Sequence, residues 1–69
     1  MIYELMDVES ANLIGTYESE TAALAVVRAA IQAHGQASVM ALALGYEDEA
    51  GNGGVIAEGA DLAARARPI

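Results

Sequence analysis

The chain has 69 residues, room for one core with a helical layer on one sheet, and this length excludes a second domain. Ten acidic residues against three arginines and no lysine give a net charge of −7, which excludes phosphate backbones and anionic membrane surfaces as natural partners. With no cysteine and one histidine, disulfides, thiolate metal sites and a self-sufficient zinc site are also excluded.

Residues 2–8, Ile-Tyr-Glu-Leu-Met-Asp-Val, alternate imperfectly between apolar and polar types and predict a first strand. Glu9-Ser10-Ala11-Asn12 is read as a turn, and Leu13-Ile14-Gly15-Thr16-Tyr17 as the returning strand of a hairpin. Pairing Leu5 near Gly15 puts Tyr3 and Tyr17 side by side on one face, with Leu5 and Leu13 beside them, and leaves Met6 and Ile14 on the other. A sheet apolar on both faces is sandwiched between helices or covered on one side by a second chain.

Ser19 is a good helix N-cap, Glu18 and Glu20 suit the positive end of the dipole, and the helix is expected to run to about His34, with Gly35 closing it. Ala23, Leu24, Val27, Ala30, Ile31 and His34 share one face and should lie on the sheet. Ala22, Val26, Ala29 and Ala33 form a second apolar stripe about a quarter turn round, leaving Thr21, Ala25, Arg28 and Gln32 for water. That stripe is the predicted interface. Its small side chains would permit close approach of the last helix of the chain or of the same helix in a partner.

Residues 38–46 place Met40, Leu42, Leu44 and Tyr46 on one face and Ala41, Ala43 and Gly45 on the other, the period of a strand, with a helix as the competing reading. Residues 47–54 carry the charge and glycine of a solvated, mobile hairpin loop, with Asn52-Gly53 as a tight turn. Val55-Ile56-Ala57 is a short fourth strand and residues 59–67 a final helix, with Asp61 near its start, Arg65 and Arg67 near its end, and Pro68 to stop it. The expected fold is therefore a single α+β domain over residues 1–69, in the order ββαββα, with one long and one short helix packed on a small antiparallel sheet.

No arrangement of residues carries catalytic or cofactor chemistry. An EF-hand alignment starting at Asp48 fails at Ala50 and Gly59, and the glycines at 51, 53 and 54 lack the third glycine of a dinucleotide fingerprint and stand among carboxylates. His34 lacks a recognisable nucleophile and orienting acid, and histidine at a helix terminus is explained by its interaction with free carbonyls. Tyr3, Tyr17 and Tyr46 read as core or rim residues, since a stacking platform for single strands needs a basic groove.

The segment Gly15-Thr16-Tyr17-Glu18-Ser19-Glu20-Thr21-Ala22-Ala23, followed by an alanine-rich helix, resembles the strand-to-helix step of HicB-type antitoxin domains over about a third of the chain. No functional residue carries over from this resemblance.

Sixteen alanines and no Trp or Phe leave a modest core of large residues, so a chain this small is expected to gain stability from a partner subunit. The leading expectation is a cytoplasmic, non-enzymatic interaction or regulatory module, homodimeric or bound to another protein, without cofactor, metal, nucleic acid or membrane. The alternatives are an antitoxin-like acidic neutraliser of a basic toxin, and a small-molecule-binding or catalytic dimer with a pocket between protomers lined by Tyr46, Met40 and His34. No apolar run reaches the length of a membrane span, and the N-terminus lacks the basic start and apolar centre of a signal peptide.

Overall fold

Turn chemistry sets the first hairpin, β1 (Ile2–Asp7) and β2 (Asn12–Tyr17), in a computed structural model that describes residues 1–67. The Asp7 carboxylate oxygen Oδ1 accepts from the backbone N–H groups of Glu9 (3.0 Å) and Ser10 (3.4 Å), folding the chain back on itself. Ala11 completes the reversal with φ 57°, a left-handed conformation that is costly for a residue with a Cβ. The expected pairings Leu5 with Gly15 and Tyr3 with Tyr17 are present. Leu13 departs from expectation. A bulge between Leu5 and Met6 inserts Ile14 as an extra residue, so Leu13 pairs with Met6 and shares its face instead of lying beside Tyr3 and Tyr17.

Helix α1 (Glu20–His34) begins where Ser19 Oγ accepts from the Ala22 N–H (3.1 Å). It ends at Gly35, whose φ of 87° is open to glycine and whose N–H donates to the Ile31 carbonyl (2.7 Å). A single 3₁₀ turn over Gln36–Val39 follows, fastened by the Ser38 hydroxyl donating to the Gly35 carbonyl (2.7 Å). The strand expected over 38–46 therefore starts later, as β3 (Leu42–Glu47). This turn also changes which side chain fills the core. Val39 is fully buried, whereas Met40, expected to join Leu42 and Leu44, stands exposed.

The β3–β4 loop is exposed, as expected, and is tied down by Asp48. Its Oδ1 accepts from the N–H groups of Ala50 (3.0 Å) and Asn52 (2.8 Å), and its own N–H donates to the Asn52 carbonyl (2.8 Å). Gly51, with φ 85°, makes the reversal expected of Asn52-Gly53, while Gly53 already belongs to β4 (Gly53–Glu58). A Cβ on Gly53 would strike the Tyr46 carbonyl oxygen. Helix α2 (Gly59–Ala66) closes the fold with Arg67 at its C-cap; Pro68, expected to stop it, lies outside the described residues.

The four strands form one antiparallel sheet in the order β2-β1-β3-β4, an α+β fold in the order ββαββα. Both helices pack on the same face. Leu5, Val27, Val39, Leu44 and Leu62 are the large fully buried side chains of the core between helices and sheet, and Ala23, Ala57, Ala63 and Ala66 fill the narrower gaps. Arg28 is exposed, as expected, and also reaches the end of α2, where its Nε donates to the Ala66 carbonyl (2.9 Å) and satisfies one of the acceptors that a helix C-terminus leaves free. Arg65 pairs with Glu20 at 3.2 Å on the surface between the helices.

Candidate functional site

Strand alternation sends every second side chain away from the helices, and no element among the described residues covers that second face. Across it, Leu13, Met6, Ala43 and Glu58 form one row of cross-strand neighbours. Thr16, Glu4, Gly45 and Val55 form the next, and Ile2, Glu47 and Gly53 the third. Val55 is 66% exposed, Leu13 53%, Ile2 51% and Met6 37%, so each remains in water on a face that an antiparallel sheet ordinarily fills with polar residues. Ala43 and Gly45 keep the middle of the face low, and a shallow depression of about 290 Å³ lies there, bordered by Glu4, Met6 and Val55. The charged side chains in these three rows are Glu4, Glu47 and Glu58, while all three arginines belong to α1, α2 or its C-cap.

The predicted interface stripe lies elsewhere. Ala22, Val26, Ala29 and Ala33 are all exposed, Val26 by 37%. Helix α2 does not cover them, since it docks on the edge of α1 marked by Glu20 and Arg28. The sheet takes Ala23 and Val27, with Leu24, Ala30 and Ile31 half-buried at the margin. His34, expected on the sheet-facing side, is exposed in the last turn of α1.

The three tyrosines are brought together. Tyr17, Tyr3 and Tyr46 are consecutive cross-strand partners on the helical face of β2, β1 and β3. Tyr17 lies over Gly15, where a Cβ would come within 2.7 Å of the phenol oxygen, and Tyr46 lies beside Gly54. An open depression of about 450 Å³ is lined by Tyr3, Tyr46, Ile56, Glu20 and Arg65. Tyr3 and Tyr17 pack against the core as rim residues. Met40 and Tyr46, expected with His34 around a pocket between two protomers, are not brought together within one chain. Leu42 to Glu47 alone spans roughly 16 Å of strand, which puts Met40 and Tyr46 at opposite ends of β3.

Among the described residues no three His, Asp or Glu side chains converge in a way that could hold a metal, and no buried side-chain polar atom lacks a partner. No helix among them is long and apolar enough to cross a membrane. Compared with known proteins, the chain matches no family model, no curated protein and no solved structure. The uncovered sheet face, with Leu13 and Val55 in it, was legible only in part. The both-sided apolarity of the first hairpin signals it, but placing Leu13 requires the bulge, and Val55 requires knowing that both helices fall on one side.

Proposed function

We propose that this chain is a small non-catalytic protein-interaction module that pairs with a second copy through Ala22, Val26, Ala29 and Ala33 of α1. The supporting observation is the one-sided placement of the helices: once α1 and α2 have covered one face of the sheet, apolar surface remains on the second stripe of α1 and on the opposite sheet face. Water-exposed apolar surface is destabilising in proportion to its area, and a partner removes it from water. The stripe is free of charge and low in profile, which lets two helices approach closely.

Sedimentation equilibrium at micromolar concentration tests the pairing. The parent chain is expected to be a dimer, and Val26→Glu a monomer with an unchanged far-ultraviolet spectrum, because two carboxylates would meet in a dry contact. A parent chain that sediments as a monomer throughout removes the self-pairing.

A further inference from the structure

We infer that the uncovered sheet face docks a partner protein through an amphipathic helix whose apolar side is flanked by lysine or arginine. The inference rests on the reading of the chain as an interaction module, but not on its pairing through α1. Three observations define the occupant. Ile2, Met6, Leu13 and Val55 are large apolar side chains standing in water on one face of a sheet whose other face is already closed by helices. A four-stranded sheet is roughly 15–20 Å wide, enough to seat a helix of about 10 Å diameter over the low centre made by Ala43 and Gly45. Each of the three rows across the face carries one carboxylate, from Glu58, Glu4 and Glu47, and none carries a cation.

That charge pattern selects among occupants. A second copy stacked face to face would bury two sets of carboxylates with no base to meet them, and burying unpaired ions costs more than the apolar contact returns. The α1 stripe of a second copy brings no cation either, since Ala22, Val26, Ala29 and Ala33 carry no charge. Nucleic acids and anionic lipid are repelled. A helix with an apolar stripe and basic flanks satisfies both components at once, with opposite charges steering the approach and the apolar contacts holding it.

The test titrates the isotope-labelled chain with a synthetic amphipathic helix bearing a leucine face flanked by lysines, and in parallel with the same peptide carrying glutamates in place of the lysines. With the lysine peptide, backbone resonance shifts are expected at Glu4, Met6, Leu13, Ala43 and Val55, and affinity should fall steeply with added salt. Glu4→Gln, Glu47→Gln and Glu58→Gln combined should weaken binding about tenfold or more. The charge-matched control Glu9→Gln, Glu20→Gln and Asp61→Asn, in the β1–β2 turn and on the two helices, should weaken it far less.

Several results overturn the inference: equal binding of the glutamate peptide, equal weakening by both triple variants, shifts confined to α1, or no binding of either peptide at millimolar concentration. Should the face variant fail to fold, the salt dependence and shift map of the parent chain still decide. Repeating the titration on Val26→Glu keeps the two proposals apart, because loss of self-pairing leaves the sheet face intact. A parent dimer that dissociates on Met6→Lys but not on Val26→Glu would place a second copy on this face and refute the basic partner.

Discussion

Ala11 holds the one positive φ of a non-glycine residue among those described, and it does so in the turn that sets the register of the whole sheet. A Cβ at that angle crowds the following carbonyl, so Ala11→Gly is expected to stabilise the chain by about 0.5–1 kcal/mol after the extra entropy of glycine in the unfolded state is counted. Urea denaturation would show it as a raised midpoint at unchanged slope, and an unchanged or lowered midpoint would mean that Ala11 is not strained there. Single residues also mark where the sequence was readable. Asp, Asn and Gly act on their nearest neighbours, and so the turns at 8–11 and 48–52, the Ser19 cap and the Gly35 stop all leave a local signature. Arg28 leaves none. Its partner is a carbonyl 38 positions away, created only when α2 docks, and nothing in the composition of α1 separates it from the solvent-facing Gln32.

At the scale of the elements, the two helices depend on different devices. Helix α1 has a side-chain cap, and Ser19→Ala should cost about 1 kcal/mol, measured by chemical denaturation. Helix α2 has eight residues and no side-chain N-cap, so its attachment relies on Leu62, Ala63 and Ala66 in the core and on Arg28 at its end. Arg28→Ala is expected to cost roughly 1–2 kcal/mol, and Arg28→Lys to recover only part of it, because an ammonium cannot reproduce the planar donor geometry of the guanidinium. If Arg28→Ala leaves the denaturation midpoint where it was, the contact to Ala66 is not stabilising. The order ββαββα was legible because periodicity and capping are properties of each element alone. The position of Leu13 and the late start of β3 were not. The first depends on a bulge that accommodates β2 against β1 while β1 also pairs with β3, and the second on a 3₁₀ turn that drops Val39 into a space bounded by α1, α2 and the sheet.

For the whole molecule, the decisive property is that its two layers enclose one core and leave the sheet bare behind, within overall extents of 36 × 28 × 17 Å. The strand order adds a second asymmetry: β1 and β3 have bonded neighbours on both edges, whereas β2 and β4 each present one unpaired edge. Deuterium should therefore enter from the flanks. Outward-pointing amides of β2 and β4 are expected to exchange in the earliest minutes, while those of β1 and β3 persist until the sheet opens globally, a contrast that mass spectrometry of peptic fragments would record. Uniform exchange across all four strands would show that the sheet opens as one unit. The molecule thus has a slow centre only two strands wide, and the time it keeps its original protons there is a direct clock for how often the entire chain comes apart.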